Sequence, residues 1–248
     1  MCKRWLGLVF GVALAIAGGP AKAIGDVDLL LVLAADVSRS VDDTEFRLQR
    51  EGYASALTNP KVMRAMTSGE YARIALAYVE WSGEHAQATV IDWTMIAGPQ
   101  DASGVAEKLR SEPRRFRDRT AIGAAIDYAV RLIEASPFNA ARRVIDVSGD
   151  GTNTNGRLPH SARDEAIAKG ITINGIVILS DAPLAWNPSH THPPGGLEKY
   201  YADNVVGGLG SFTLAAEGFE TFGQSIVSKL IKEIAANPDG RSAAAALQ

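Results

Sequence analysis

One cysteine, Cys2, stands in 248 residues. An intrachain disulfide is therefore excluded, and so is a zinc site built on thiolates. A basic excess is lacking as well. The 25 Lys and Arg face 28 Asp and Glu, for a formal net charge of -3, which argues against nucleic acid as a partner. There is no G-x-G-x-x-G turn and no P-loop lysine motif, so two common nucleotide fingerprints are absent. Beyond residue 23 no run is apolar enough to span a membrane, and no internal repeat is visible.

What is present is ordinary globular composition, 46% hydrophobic and 21% charged. One large domain or two small ones fit this length, and a core of that size is stable without staples. Lys3 and Arg4 precede an uncharged apolar stretch, 5–18, and Ala21-Lys22-Ala23 offers small residues for cleavage. The pattern predicts a secretory signal peptide over 1–23 and a periplasmic or secreted protein. An uncleaved N-terminal anchor is the alternative. Cleavage would remove Cys2 with Lys3, Arg4 and Lys22, taking the net charge to -6. The mature chain would then hold no thiol, would carry no membrane span, and would rest on its core alone. The folded domain is expected over 24–236, with a flexible tail of small, polar and Ala-rich residues over 237–248.

Strand-like and helix-like stretches alternate along the chain. Residues 27–35 are nearly continuous Leu, Val and Ala, the pattern of a strand buried on both faces. Asp42 and Asp43 start a helix that Asn59-Pro60 stops. Residues 73–81 and 89–96 are strand-like and close enough to pair as a hairpin. A short helix is expected over 103–110. The clearest helix, 120–134, carries Ile122, Ile126, Ala129, Val130 and Ile133 on one face. Strands at 143–148, 171–179 and 212–215 alternate with helices at 162–169, 197–206 and 219–234. This order predicts a mostly parallel α/β sheet with helices on both faces. In such sheets ligands sit beyond the carboxyl ends of the strands.

The chemistry at those ends is oxygen-rich. Asp36-Val37-Ser38-Arg39-Ser40 follows the first long strand, and alternate residues of an extended chain point the same way. Asp36, Ser38 and Ser40 can therefore meet at one ion. Thr120 opens the strongest helix. Asp150 follows the strand at 143–148 in Ser148-Gly149-Asp150-Gly151, where the glycines are expected to let the backbone turn tightly. Any one of these is more often a cap or turn residue than a ligand; their joint occurrence at three strand ends points to a site.

Asp-x-Ser-x-Ser with a distant Thr and a distant Asp resembles the metal-ion-dependent adhesion site of von Willebrand factor A domains. The stretches 144–151 and Asn204-Val205-Val206-Gly207-Gly208 resemble, more closely, the exported bacterial DUF1194 branch of that family. The resemblance spans roughly residues 26 to 235. It implies a Rossmann-like doubly wound fold, with a six-stranded, mostly parallel sheet and one antiparallel edge strand. It also implies that Ser38, Ser40 and Thr120 are hydroxyl ligands, with Asp36 and Asp150 binding directly or through water. Mg2+ fits that set, with Mn2+ or Ca2+ as alternatives. Three neutral hydroxyls and two acids leave such an ion short of negative charge, so an Asp or Glu carboxylate from a protein partner is the expected further ligand. The last helix, 219–234, corresponds to one that often moves in this family.

No nucleophile–base pair has defensible spacing, so the reading is a binding domain and not an enzyme. A metal-dependent hydrolase, with His160 as the best general base, and a metal-free structural component of an envelope assembly are the rivals. Arg114, Arg115, Arg117 and Arg119 read as a solvated basic face or as a rim that attracts an acidic partner. Residues 159–161 and 185–196 are candidate rim elements. Within the latter, His190-Thr191-His192, beside Trp186 and three prolines, reads as a surface loop, because a zinc site needs three or four protein ligands. His85 falls in the hairpin turn. Asp146, inside a strand, is expected to face a polar surface or pair with an arginine.

Overall fold

The computed structural model describes residues 25–235; the expected signal peptide and the tail 237–248 lie outside the described residues. In chain order the elements are β1 (Gly25–Asp26), β2 (Leu29–Asp36), α1 (Asp43–Leu57), α2 (Pro60–Met66), β3 (Ile74–Trp81), β4 (Gln87–Ile96), α3 (Pro99–Ser111) and α4 (Ile122–Glu134). They continue with β5 (Phe138–Asn139), β6 (Arg142–Gly149), α5 (Pro159–Ala168), β7 (Thr172–Ile178), α6 (Pro188–Thr191), α7 (Leu197–Asn204), β8 (Thr213–Ala216) and α8 (Phe219–Ala235).

Six strands form one sheet in the order β4-β3-β2-β6-β7-β8. Every pair is parallel except β3 with β4, the expected hairpin. The fold is thus the doubly wound α/β arrangement with one antiparallel edge strand. β2 is buried along its whole length because both of its faces are covered. Leu29, Leu31, Leu33 and Ala35 pack toward α1, α2, α3 and α8. Leu30, Val32 and Ala34 pack toward α4, α5 and α7. Each such leucine contributes about 1.5–3 kcal/mol through burial.

From β2 the chain winds outward to β3 on one side, while β6 lies on the other. Strand order reverses there, which opens a crevice at the carboxyl ends of β2 and β6. Ala35 is in register with Ser148, so Asp36 and Gly149 end neighbouring strands.

Helix ends explain several boundaries. Asp42 caps α1 in a capping box with Glu45. Asn59-Pro60 stops α1 as expected but also starts α2, with Asn59 as cap and Pro60 in the first turn. α4 begins at Ile122, where its apolar stripe begins and two residues later than the expected start at Thr120, and its N-cap is Ala121. Thr120 therefore does not cap the helix; Asn153 does part of that work, its Oδ1 accepting from Ile122 N at 2.7 Å. β1 and β5, two residues each, pair in a small parallel ribbon too short to leave a periodic trace in the sequence.

Asp146 faces α8 and not an arginine. It is fully buried, and Lys229 Nζ lies 2.6 Å from its Oδ1.

Candidate metal centre

The loop after β2 is pinned before it reaches the site. Asp36 Oδ1 accepts from Ser38 N at 2.7 Å, which bends the chain back over the strand end. Gln49, from α1, donates to the Asp36 carbonyl. Arg114 donates through Nη2 to the carbonyls of Val37, Ser38 and Val41, each at 2.8 Å. One guanidinium thus satisfies three backbone acceptors of the Asp36–Val41 turn. Arg114 is a structural clamp, whereas Arg115, Arg117 and Arg119 are exposed.

Thr120 is fixed from the opposite side. Its carbonyl accepts from Thr154 N and Asn155 N, and its N–H donates to Thr154 Oγ1. The loop after β6 therefore carries both Asp150 and the frame that aims Thr120.

The five oxygen-bearing residues meet. Thr120 Oγ1 donates to Ser38 Oγ at 3.2 Å, and Ser38 Oγ lies 3.0 Å from Ser40 Oγ. Ser40 Oγ in turn donates to Asp150 Oδ1 at 2.8 Å. Asp36 stands behind this chain with its Oδ2 buried and without a hydrogen-bond partner. All but Ser40 are buried, so the cluster opens to solvent beside Ser40.

Its electrostatics favour a cation. Burial pushes the Asp36 carboxyl well up, and the charge of Asp150 pushes it further. Burial likewise raises Asp150, to about 6. Two dehydrated carboxylates repel each other here, and one buried oxygen lacks any donor. A small hard dication answers both needs, because it takes oxygen ligands and neutralises charge. Among the described residues no group of three or more His, Cys, Asp or Glu side chains is placed to hold a metal. An ion here would depend on the serine and threonine hydroxyls as much as on the acids.

The model of a family described as "Protein of unknown function (DUF1194)" matches residues 26–238. The chain belongs to the DUF1194 family. No curated protein matches it. Among solved structures it is similar to proximal thread matrix protein 1 from the mussel byssus, in a form with a zinc-occupied metal-ion-dependent adhesion motif. The two share 16% identity and a TM-score of 0.56, over 85% of this chain and 48% of the mussel chain. A von Willebrand factor type A protein from Catenulispora acidiphila matches at 16% identity and a TM-score of 0.59, over 85% and 44%. The pilus adhesin SpaC from Lactobacillus rhamnosus GG matches at 11% identity and a TM-score of 0.60, over 87% and 31%. The fold of this DUF1194 chain is that of von Willebrand factor A domains. It spans about half the length of the mussel protein and less of the other two.

Two features around the DUF1194 cluster depart from the sequence reading. The glycines flanking Asp150 do not take left-handed backbone; they make room. A side chain at Gly149 would place its Cβ 2.4 Å from the Tyr201 hydroxyl and 3.1 Å from Asp36 Oδ2. Gly149→Ala is therefore expected to destabilise the fold by about 1–3 kcal/mol in denaturant unfolding, the usual cost of overpacking a tight site. A loss under about 0.5 kcal/mol would mean that Tyr201 moves aside freely.

The second departure is His190. It is no surface-loop residue: it lies in α6 and is 1% exposed. Its Nε2 is 3.4 Å from Thr120 Oγ1 and its Nδ1 is 3.4 Å from Thr152 Oγ1. Burial lowers its pKa, and the positive charge of Arg39 adds to that, so the ring is neutral at pH 7. His192 is exposed. Trp186, half exposed, bridges the ring to the cluster loop, stacking on His190 and lying under the Arg39 guanidinium, 4.1 Å from the ring centre. His160 sits in the first turn of α5 and makes no hydrogen bond to the five oxygen-bearing residues. His85 lies exposed in the β3–β4 turn.

Proposed function

We propose that this chain is an exported, metal-dependent interaction domain. Asp36, Ser38, Ser40, Thr120 and Asp150 hold a divalent cation, Mg2+ or a similar hard ion, and a carboxylate from a protein partner completes its coordination. The observation that carries this reading is the unbroken contact from Thr120 through Ser38 and Ser40 to Asp150, with the orphaned Asp36 Oδ2 behind it. When bound, the ion supplies a positive centre that attracts an acidic side chain. This chain's own residues hold and orient it, with Arg114 fixing the loop and Asn153 and Thr154 fixing the approach of Thr120.

Export rests on the segment 1–23, which a signal peptidase would remove to leave the domain over 24–236 and its tail in the periplasm or outside the cell. Among the described residues no helix is long and apolar enough to cross a membrane. The zinc-occupied motif of the mussel protein and the adhesin role of SpaC are consistent with a binding role on this fold.

Immobilised chain, challenged with envelope extract, is expected to retain a partner in Mg2+, to release it in EDTA, and to recapture it when Mg2+ returns. Retention that ignores the chelator would overturn the proposal.

A further inference from the structure

The five oxygen-bearing residues are not the only donors at this cluster. His190 brings a nitrogen to it from α6, 40 residues after Asp150 in sequence. Neighbouring ligands on an ion with bonds of about 2.1 Å in octahedral geometry lie about 3.0 Å apart. The donor contacts run in that range from Asp150 to Ser40 (2.8 Å), Ser40 to Ser38 (3.0 Å), Ser38 to Thr120 (3.2 Å) and Thr120 to His190 Nε2 (3.4 Å). The imidazole therefore adjoins this run of donors at its Thr120 end.

The ring is held as a ligand would be. Thr152 N donates to the His190 carbonyl at 2.9 Å, and the Trp186 ring stacks against the imidazole. Thr152 Oγ1 faces Nδ1. A hydroxyl both donates and accepts, so it can take the Nδ1–H bond and leave the Nε2 lone pair free. That is the outer support that fixes the orientation of a metal-bound histidine. The backbone has made room for the ring as well. A Cβ on Gly151, next to Asp150, would lie 2.2 Å from the ring's Nε2 and Cε1. The glycine after the acid is thus the residue that admits the histidine.

We propose that His190 Nε2 is a direct ligand of the cation held at this cluster, and that it turns the site's preference from Mg2+ toward a borderline ion, Zn2+. The inference rests on the metal reading above. Imidazole suits Zn2+ and other later first-row ions, whereas Mg2+ keeps to oxygen. Three hydroxyls and one imidazole would supply four donors, with Asp36 and Asp150 acting directly or through water and an incoming carboxylate completing the set.

The test uses the metal-free protein with 15N-labelled histidine, titrated with Zn2+ and separately with Mg2+. Expected is a Zn2+-dependent shift of the His190 Nε2 resonance, assigned by its absence in His190→Gln. In that variant calorimetry should give Zn2+ binding weaker on the order of 10–100-fold and Mg2+ binding changed by less than about threefold. His192→Gln, an exposed neighbour, should match the wild type. Zn2+ binding with no shift at His190, or with shifts confined to His85, His160 or His192, overturns the ligand assignment while leaving the metal reading standing. A loss of affinity in His190→Gln without a nitrogen shift in the wild type overturns it too. No binding of any ion to the wild type removes both. Should His190→Gln not fold, the wild-type spectrum, assigned through backbone connectivity, decides alone.

Discussion

Replacing Lys229 with methionine will cost about 3–5 kcal/mol of folding stability at neutral pH, the usual result of removing one partner from a buried ion pair. Lys229 lies on α8 with no solvent exposure. Its Nζ is 2.6 Å from Asp146 Oδ1 and 3.3 Å from Glu233 Oε1, and both acids are buried. Asn174 Nδ2 adds a hydrogen bond to Glu233 Oε1 at 2.5 Å. One cation therefore serves two acids, and methionine would leave both without a counter-charge.

The same cluster sets a pH dependence. Burial pushes the Asp146 carboxyl up to about 7, while the Lys229 charge pulls it back. A carboxyl with a folded pKa above its unfolded value of about 3.9 binds its proton more tightly in the fold. Its contribution to stability is full below about pH 4 and is lost as pH rises toward 7. Without Lys229 the folded pKa climbs higher still, so the loss continues to higher pH. Urea unfolding at pH 5 and pH 8 should show a larger deficit for Lys229→Met at pH 8. Equal deficits at both values would sink this account of the buried acids.

Asp150→Asn will weaken divalent-metal binding by roughly 100-fold, about 2.7 kcal/mol, while leaving the metal-free fold as stable or slightly more so. The two signs have one cause. Asparagine keeps an oxygen that accepts from Ser40 Oγ, but it removes a buried charge that repels Asp36. What helps the empty site harms the filled one, because a cation needs that negative charge. Calorimetry with Mg2+ and Zn2+, paired with thermal unfolding in EDTA, reads the two effects separately. Unchanged affinity would show that the metal is held elsewhere. A large loss of metal-free stability would show that Asp150 is mainly a packing residue.

Much of the fold was legible in the sequence because its signals are local. Continuous apolar residues mark β2 as a strand covered on both faces, and the short link between 73–81 and 89–96 marks the β3–β4 turn. A helical stripe on 122–133 marks α4 even though Thr120 and Ala121 lie outside the helix. Asp36, Ser38 and Ser40 stood out because of their two-residue spacing at a strand end, although in the structure the chain turns after Asp36 and the turn, not an extended strand, sets their directions. Thr120 and Asp150 joined them through the rule that ligands gather at the carboxyl edge of such a sheet. The structure links the hydroxyls of Thr120, Ser38 and Ser40 in a run of contacts that ends on Asp150, with Asp36 beside them.

Other features depend on contacts between distant residues, which leave no periodic mark. His190 stands in a proline-rich stretch that reads as surface. Only the folding of α6 back over Thr120 and Thr152 buries it. Gly149 and Gly151 read as turn residues, yet their purpose is to leave space for Tyr201 and for the His190 ring. Arg114 reads as one of a run of basic surface residues until its guanidinium is seen gathering the carbonyls of Val37, Ser38 and Val41. Asp146 reads as a polar anomaly in a strand until α8 delivers Lys229, 83 positions later, to the same buried spot. By itself, then, the sequence determined the sheet and its helical layers, because backbone periodicity is local, and it nominated the five oxygen-bearing residues from their places at strand ends and from the family resemblance. Tertiary structure alone decided the nitrogen beside them, the clamp that shapes their loop and the buried ion cluster under α8. Each of those is a meeting of segments far apart in the chain, and no local spacing encodes it.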